Sequence, residues 1–300
     1  MSILVVGSIA LDWIKSPKGE VKDSLGGSAT YFSYSSSFFD DVRLVGVVGE
    51  DFPKKHIQLL KSKKIDLRGL EMQPGKTFRW KGSYIKDLNQ AQTINTALNV
   101  FEKFKPKIPD NFRNSPFVFL ANIEPDLQIE ILSQIKKPIL SACDTMNLWI
   151  NIKKKELLTL LKKIDILILN DMESKMLTGK DNLIKAGREI LKLGPSLCVI
   201  KKGEHGVLLF TGSKIFALPA FPVEEVFDPT GAGDTFAGGF FGYLAKVKGR
   251  LTEENLKKAL MYGTIMASFT VEDFSLNSLT KINSKHIQNR LAHLQKITQL

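Results

Sequence analysis

The sequence reads DPTGAGDTF from Asp228 to Phe236, and this stretch decides how the rest of the chain is interpreted. Its centre, Gly231-Ala232-Gly233, carries only small side chains, so the backbone there can approach a ligand closely. An apolar run from Phe236 to Ala245 follows at once and predicts a buried helix. Because the first amides of a helix lack partners within it and its dipole is positive there, the stretch predicts an anion site.

Asp234 stands in the middle of this predicted anion site. A carboxylate repels an anion, so its presence there needs a chemical reason. Proton transfer is the simplest one, because a carboxylate can take the proton of an attacking hydroxyl while nearby amides stabilise phosphoryl charge. The alternative is an ordinary turn from a strand into a helix, capped by an aspartate or a threonine.

Two other phosphate-binding motifs do not fit the chain. A Walker loop needs a glycine five residues before its Gly-Lys-Thr ending; Gly75-Lys76-Thr77 has the ending, but Leu70 occupies the glycine position. The dinucleotide fingerprint fails because Phe236 stands where its third glycine belongs and because the loop does not follow the first strand.

Composition limits the class of protein. The 300 residues, 43% of them apolar, suffice for one large domain or two ordinary ones with a sizeable core. A net charge of +11 raises the question of nucleic-acid binding. The lysines are scattered, however, and no RNP, zinc-finger or helix-turn-helix pattern is present. We expect a solvated basic surface that suits anionic phosphate ligands, and no nucleic-acid partner.

Cellular location is inferred from the cysteines and from the distribution of apolar residues. Cys143 and Cys198 are the only cysteines, and both lie in apolar surroundings. This predicts reduced thiols in the core of a cytoplasmic protein. No basic segment precedes the first apolar run, and no apolar stretch reaches the roughly 18 residues of a membrane span. We therefore expect neither a signal peptide nor a membrane partner.

Aspartates follow two predicted strands. Ile3 to Val6 predicts a buried strand, and Asp12 comes shortly after its end, where open α/β sheets bind ligands. A solvated loop aspartate is the alternative. Ile139 to Cys143 predicts another strand, followed by Asp144 in a loop that faces the substrate in one interpretation and has no assigned role.

The longer string DPTGAGDTFAGGF resembles the C-terminal signature of the PfkB, or ribokinase-like, family of carbohydrate and nucleoside kinases. The resemblance extends along nearly the whole chain. It implies one domain over residues 1–300, folded as a doubly wound α/β sandwich with a small inserted β-sheet lid at about 13–24 and 76–99. The alternation of predicted strands and helices favours the same class.

The activity implied by the resemblance is ATP-dependent transfer of the γ-phosphate to a hydroxyl of a sugar or sugar-like substrate. Asp234 is then the general base, the amides around Gly231, Ala232 and Gly233 form the anion hole, and Mg²⁺ bridges the phosphates. A nucleoside kinase of the adenosine type in the same fold, and a ligand sensor without turnover, remain open as alternatives.

The resemblance also implies contacts to the acceptor. The segment GSIALD, which ends at Asp12, resembles the family's first substrate contact, a carboxylate that accepts hydrogen bonds from sugar hydroxyls. Gly26 and Gly27 resemble the paired glycines that bring a helix start close to the sugar, and Glu124 resembles a hydroxyl ligand of the ribokinase branch. Tyr31 replaces an asparagine of many members, which disfavours ribose itself and suggests a stacking or shape-filling contact with a different substrate.

On the nucleotide side, Asn170 and Glu173 resemble the NxxE motif, which orders Mg²⁺ and its waters. Residues 201–206, KKGEHG, resemble the KxGxxG segment beside the nucleotide. Asp228 is a candidate ligand for a monovalent cation such as K⁺, although Phe274-Ser275 replaces a commoner glycine pattern in the cation loop. The nucleotide contacts assigned on this basis are Asn170, Lys202, Gly203, Gly206 and Thr230.

Residues 77–86 alternate aromatic with basic or apolar side chains. Phe78, Trp80 and Tyr84 share one parity, so the period of two predicts a strand with an aromatic face. As part of a lid, this face would cover the acceptor and exclude water. A strip for single-stranded nucleic acid and an ordinary core or dimer strand are the alternatives. Since relatives often pair through the lid, a homodimer is a further expectation.

Overall fold

The computed structural model describes residues 1–85, 88–89 and 91–299. Within them the strands are β1 (Ser2–Val6), β2 (Ala10–Ser16), β3 (Gly19–Gly26), β4 (Asp41–Gly49), β5 (Asp66–Gln73), β6 (Phe78–Ser83), β7 (Gln92–Ala97), β8 (Phe117–Leu120), β9 (Leu140–Asp144), β10 (Ile166–Asn170), β11 (Leu197–Lys201), β12 (Val207–Phe210) and β13 (Ile215–Leu218).

The α-helices of the same residues are α1 (Ser28–Ser36), α2 (Lys54–Ser62), α3 (Pro125–Gln134), α4 (Asn147–Ile152), α5 (Lys154–Leu161), α6 (Asp171–Thr178), α7 (Leu183–Lys192), α8 (Ala232–Lys246), α9 (Glu253–Thr270), α10 (Asn277–Lys281) and α11 (Ser284–Thr298). Short 3₁₀ turns lie at Asn99–Lys103, Asp110–Phe112 and Gly203–His205. None of these helices is both long enough and apolar enough to cross a bilayer.

A nine-stranded sheet forms the centre of the molecule, in the order β13-β12-β11-β10-β9-β8-β1-β4-β5. It is parallel except at the β12 and β13 edge. Strand β1 pairs with β4 on one side and with β8 on the other, so the chain winds outward in both directions from β1. Its carboxyl end is therefore the point at which open α/β sheets bind ligands.

Both faces of this sheet are covered, as its uninterrupted apolar strands require. Along β1, Ile3 and Val5 face a core shared with α1, α8 and α9. Leu4 and Val6 face the opposite core, shared with α3, α5 and α7. The alternation follows from the period of two in a strand, and the two layers confirm the predicted doubly wound α/β sandwich.

A second, smaller sheet has the order β3-β2-β6-β7. Its strands come from the two segments at which the sequence predicts an inserted lid, and β2 and β6 join those segments in parallel. Strand β3 ends at Gly26 and leads directly into α1, so this sheet lies next to the carboxyl end of β1. Of the predicted lid segment, Lys86, Asp87 and Gln90 lie outside the described residues.

Three neighbouring parallel strands end in polar residues at one edge of the large sheet. Strand β9 ends at Asp144, β10 at Asn170 and β11 at Lys201. Helix α8 begins there at Ala232, earlier than the predicted Phe236, because the prediction took the first large apolar residue as the helix start. Its first turn consequently contains Asp234.

Candidate active site

The anion-binding loop requires its glycines. Gly231 is the N-cap of α8 with φ 75°, a left-handed conformation that glycine adopts without strain. A Cβ added at Gly231 would overlap the ring of Tyr31. A Cβ added at Gly233 would lie 2.8 Å from Nζ of Lys201. The loop therefore brings the first amides of α8 and the amine of Lys201 to one place, and this arrangement suits a phosphate group.

A cavity of about 890 Å³ opens beside this loop. Its size is that of a pocket for a ligand such as a nucleotide. Its apolar lining, suited to a base ring, includes Val207, Ala220, Phe221, Pro222, Val223, Val226, Phe236, Ala267 and Val271. Its polar lining, suited to phosphates, includes Asn170, Lys201, Gly203, Gly206 and Gly233. By size and by lining, the cavity fits ATP.

Asp12 lies in a tightly built acidic site. A Cβ at Gly26 would overlap its carboxylate, and the nearby backbone N–H of Gly27 acts to lower its pKa. Burial, followed by the charges of Asp228 and Asp234, raises the pKa of Asp12 well above its usual value. Its Oδ1 atom is buried without a hydrogen-bond partner among the described residues. An acceptor that donates hydroxyl hydrogens would satisfy this oxygen.

Tyr31 is fully buried, with its ring against Gly231. Burial and then the charge of Asp228 raise the pKa of its phenol well above the usual value. Within the described part of the chain its hydroxyl has no hydrogen-bond partner. The ring thus lies against the anion loop, and the hydroxyl is a buried donor whose partner the described residues do not supply.

Asp234 and Asp144 interact electrostatically with each other. Burial raises the pKa of Asp234, while the charge of Lys201 and the interaction with Asp144 oppose the rise. Burial and the charge of Asp234 raise the pKa of Asp144 well above its usual value. Asp144 therefore belongs to the acidic site around Asp234.

Asn170 and Glu173 form a reciprocal cap at the start of α6. The side chain of Asn170 accepts from the backbone N–H of Glu173 at 2.7 Å, and Glu173 Oε2 accepts from the N–H of Asn170 at 2.7 Å. Burial raises the pKa of Glu173, against the charge of Lys201. Among the residues described, no cluster of three acidic, histidine or cysteine side chains can hold a metal directly. The carboxylate and amide oxygens of this pair are of the kind that Mg²⁺ and its waters bind.

Asp228 joins two loops at the candidate cation site. Its Oδ1 accepts from the N–H of Thr230 at 2.9 Å, and its Oδ2 accepts from the N–H of Ser275 at 3.4 Å. Ser275 has φ 56°, and its hydroxyl donates to the carbonyl oxygen of Leu25 at 2.5 Å. Serine thus adopts the left-handed conformation that favours glycine, which explains how the loop tolerates the departure at Phe274-Ser275.

Glu124 is engaged elsewhere. Its carboxylate forms an ion pair with Lys153 at 2.6 Å, and Lys153 also pairs with Asp126 at 2.8 Å. The charges of Asp228 and Asp234 act on the ionisable groups of both Asp12 and Tyr31. The structure gives no corresponding interaction between Glu124 and Asp12, so the predicted acceptor contact of Glu124 remains a prediction.

Tyr84 is the aromatic residue through which the small sheet reaches the anion loop. Its hydroxyl is 3.1 Å from Oγ1 of Thr230. The side chain is buried, and burial raises the pKa of the phenol.

The other two predicted lid aromatics are engaged within the small sheet and beside it. The ring of Trp80 covers Gly82, where a Cβ would overlap it, and its indole N–H donates to Thr93 Oγ1 at 3.2 Å. Phe78 stacks on Phe101, with ring centroids 5.3 Å apart. Of the three predicted rings, Tyr84 is thus the one placed at the site.

A family model described as pfkB family carbohydrate kinase matches residues 2–282. The chain belongs to the pfkB family of carbohydrate kinases. This pfkB-family kinase is 32% identical over 267 residues to a protein of Thermococcus kodakarensis named cytidine kinase. The match covers 87% of this chain and 94% of that relative.

Solved structures share the fold of this pfkB-family kinase. The nucleoside kinase of Methanocaldococcus jannaschii has a TM-score of 0.76 and 21% identity, over 97% of this chain and 98% of that one. A ribokinase of Cryptococcus neoformans var. grubii serotype A, in complex with ADP, has a TM-score of 0.80 and 20% identity, over 96% of this chain and 99% of that one. The predicted ribokinase-like class is confirmed.

Family membership also confirms the predicted activity. The protein is an ATP-dependent kinase that transfers the γ-phosphate to a hydroxyl of a sugar or nucleoside. A ligand sensor without turnover is the alternative that these relatives, which are named as kinases, do not favour.

Two site residues were missed from the sequence. The cavity is lined by Lys201, and the predicted Lys202 is not among the described residues that line it. The spacing KxGxxG, counted back from Gly203, points to Lys201, which makes Lys201 a second candidate beside Lys202. Asp144 follows a predicted strand, but its electrostatic interaction with Asp234 depends on how β9 and α8 pack, which no local sequence pattern specifies.

Proposed function

We propose that the acceptor is a nucleoside and that Asp234 takes the proton from the reacting hydroxyl of its ribose. The observation that carries the proposal is the electrostatic interaction between Asp12 and Asp234, in which the charge of Asp234 acts to raise the pKa of Asp12. A sugar bound by Asp12 would place its hydroxyl between the base and the phosphate site. The similarity to the T. kodakarensis protein, over nearly the whole chain, favours a nucleoside over a free sugar.

ATP would occupy the large cavity. Its base would lie against the apolar wall around Phe221 and Val271, and its phosphates would reach Lys201 and Gly233. Lys201 forms no ion pair within 4 Å in the described part of the chain, although carboxylates surround it. Its amine would therefore contact phosphate oxygens, where developing charge is stabilised.

Three side chains, Asp12, Tyr31 and Asp234, would have separate roles at the acceptor. Asp12 would accept hydrogen bonds from ribose hydroxyls, and the hydroxyl of Tyr31 would donate one. Asp234 would hold the transferred proton. Mg²⁺, when bound through water near Asn170 and Glu173, would neutralise phosphate charge.

Three further expectations are part of the proposal. Asp228 and the loop at Ser275 would take a monovalent cation such as K⁺. A homodimer through the lid is supported by the exposed edge strand β7, where Ile94 is 54% exposed. A cytoplasmic location is supported by Cys143 and Cys198, which are buried and unpaired.

An assay of ADP release over cytidine, uridine, adenosine, ribose and fructose tests the acceptor. Mass spectrometry of the products should show nucleoside monophosphates, with a higher kcat/KM for at least one nucleoside than for either sugar. Asp234→Asn controls for contaminating kinases. A clear preference for ribose or fructose would overturn the nucleoside assignment and leave the kinase activity in place.

A further inference from the structure

We propose that Arg290 of α11 is a positioning residue for the base of ATP: its guanidinium group holds together the two segments that form the apolar end of the large cavity. The inference rests on the proposed placing of ATP in that cavity. Arg290 itself is not among the described residues that line the cavity, so it acts through the side chains that do.

The apolar end of the cavity is built from two segments that lie far apart in the sequence. One is the loop after β13, which supplies Phe221. The other is the end of α9, which supplies Ala267 and Ser268, with Val271 just beyond it. Residues 219–226, all within the described part of the chain, belong to neither a helix nor a strand. Side-chain contacts therefore have to fix the position of the Phe221 ring.

Arg290 contacts both segments. Its guanidinium donates to Oγ of Ser268 at 3.0 Å, and its Cζ lies 3.6 Å from the ring centroid of Phe269, so it is fixed on α9. The same Cζ lies over the ring of Phe221, 4.9 Å from the centroid. A guanidinium group over an aromatic face is attracted to it, and its planar shape suits such stacking. Arg290 thus ties the loop to the helix.

The guanidinium group is itself held in a fixed orientation. It donates to both carboxylate oxygens of Glu272, at 2.9 and 3.1 Å, and the Arg290 side chain is only 17% exposed. Charge-assisted bonds of this kind from one planar group fix its direction. The hydroxyl of Ser268 donates in turn to the carbonyl oxygen of Ile265 at 2.8 Å. Because Glu272 directly follows Val271, the same bonds hold the end of α9 at the cavity.

A second cavity shows what happens to Phe221 without this contact. Phe221 also lines a space of about 300 Å³ beside α11, together with Arg290, Phe269 and His293. A ring next to open space is held only by the contacts it makes. Two of these come from α11, namely the guanidinium of Arg290 and the ring of His293, whose centroid is 5.4 Å away. Loss of the guanidinium should let Phe221 move into that space and away from the base.

Two substitutions at Arg290 and one control test the assignment. Arg290→Met keeps much of the length and removes the charge and the donors. The KM for ATP should rise roughly 5- to 30-fold, the range that a desolvated cation–π contact is worth. Arg290→Lys keeps a cation but cannot fork between Ser268 and Glu272, so the KM for ATP should rise about two- to fivefold. Lys285→Met, an exposed position of the same helix, should match wild type.

Inorganic tripolyphosphate is the probe that separates the base from the phosphates. It competes with ATP for the phosphate end but carries no base. Arg290→Met should leave its inhibition constant, kcat at saturating ATP and the KM for the acceptor within about twofold of wild type, because only base binding is lost. Lys201→Met, at the phosphate end, should weaken both ATP and tripolyphosphate. Thermal melting confirms that each variant is folded.

A double-mutant cycle tests whether Arg290 acts through Phe221. Phe221→Leu should itself raise the KM for ATP, since it removes part of the wall. If Arg290 acts by holding that ring, the double variant with Arg290→Met should be little worse than Phe221→Leu alone. Independent, additive effects would contradict a role through Phe221.

Ala267→Leu, which narrows the cavity directly, distinguishes failure of the inference from failure of the ATP placing. If Ala267→Leu raises the KM for ATP while Arg290→Met keeps the wild-type value, the role of Arg290 is overturned and the placing stands. If neither variant changes it, the placing fails as well. An equal loss of ATP and tripolyphosphate binding in Arg290→Met would mean a general structural role and would also overturn the inference. If Arg290→Met does not fold, Arg290→Lys decides in its place, and a wild-type KM for ATP there would overturn it.

Discussion

The hydroxyl of Tyr84, at the end of β6, is 3.1 Å from Oγ1 of Thr230 in the anion-binding loop. This contact joins the small sheet directly to the residues that would surround the transferred phosphate. The small sheet and the helix start are therefore coupled through one neutral hydrogen bond, which a single substitution removes.

Tyr84→Phe should weaken the contact between the small sheet and the anion loop while keeping an aromatic ring at this position. The ring stays, and the loss of one neutral hydrogen bond is worth about 1 kcal/mol, or about fivefold in an equilibrium. We expect slower phosphorylation of the acceptor and level or faster ATP hydrolysis without acceptor, because water reaches the phosphates. The ratio of the two rates is the measurement.

Trp80→Ala and Phe78→Leu are the matched controls for Tyr84→Phe. Both rings contact other groups of the small sheet or its neighbour Phe101, so both substitutions should lower the melting temperature more than they change the ratio. If Trp80→Ala changes the ratio and Tyr84→Phe does not, Trp80 covers the acceptor as the sequence first suggested. An unchanged ratio in all three variants would make the aromatic strip structural.

The fold was predictable because its signals are local. Continuous apolar strands such as β1, alternating with helical segments, predict a covered parallel sheet. The signature from Asp228 to Phe236 locates the anion site, because a helix start and small residues are enough to specify it.

The interactions that could not be predicted from the sequence are those that depend on packing between distant segments of the chain. The acceptor contact of Tyr31 stays a prediction, but the packing of its ring against Gly231, 200 positions along the chain, was not visible in the sequence. The electrostatic interaction between Asp144 and Asp234 links a strand end to a helix start in the same way. Neither spacing nor periodicity encodes such contacts.

Asp234→Asn should lower kcat by roughly 10²–10⁴-fold, the usual contribution of a positioned base. The substitution keeps the shape of the side chain, so the acceptor KM should change much less. Steady-state kinetics with saturating ATP measure both quantities. Turnover near that of wild type would remove Asp234 from its proposed role.

Lys201→Met and Lys202→Met form a matched pair, because the two lysines are neighbours and only the first lines the cavity among the described residues. A charged hydrogen bond to phosphate is worth about 1.5–3 kcal/mol, so Lys201→Met should lower kcat/KM for ATP roughly 10- to 150-fold. Lys202→Met should stay close to wild type. The reverse order of the two effects would restore the original assignment to Lys202.

Asp12→Asn should weaken acceptor binding and stabilise the fold. Its pKa is raised in the folded state, so the folded protein binds more protons than the unfolded one as Asp12 titrates. Stability is therefore lost as pH rises from the ordinary aspartate pKa through the raised one. The asparagine does not titrate, so the gain in melting temperature should be small near pH 4 and larger at pH 8.

Acceptor kinetics complete the test of Asp12. The KM for the acceptor should rise while the KM for ATP holds, since Oδ1 of Asp12 is buried without a partner among the described residues and an acceptor hydroxyl would satisfy it. A rise in the KM for ATP instead would mean that the acceptor site is misassigned. A melting temperature that rises equally at both pH values would contradict the titration argument.

Gly231→Ala should abolish activity because the added Cβ distorts the anion loop. Gly179→Ala is the control that separates the backbone cost of a positive φ from the cost of overlap with Tyr31. Both glycines have positive φ, 75° and 68°, so an alanine at either site carries a backbone cost of roughly 1–2 kcal/mol. Around Gly179 nothing lies within 4 Å of an added Cβ, whereas at Gly231 the Cβ would overlap Tyr31.

Gly179→Ala should therefore lower the melting temperature and leave kcat unchanged. Gly231→Ala should lower both, and adding Tyr31→Leu should recover part of the stability by removing the overlap. Equal melting temperatures for the two single variants would show that overlap with Tyr31 adds no loss of stability beyond the cost of placing alanine at a positive φ.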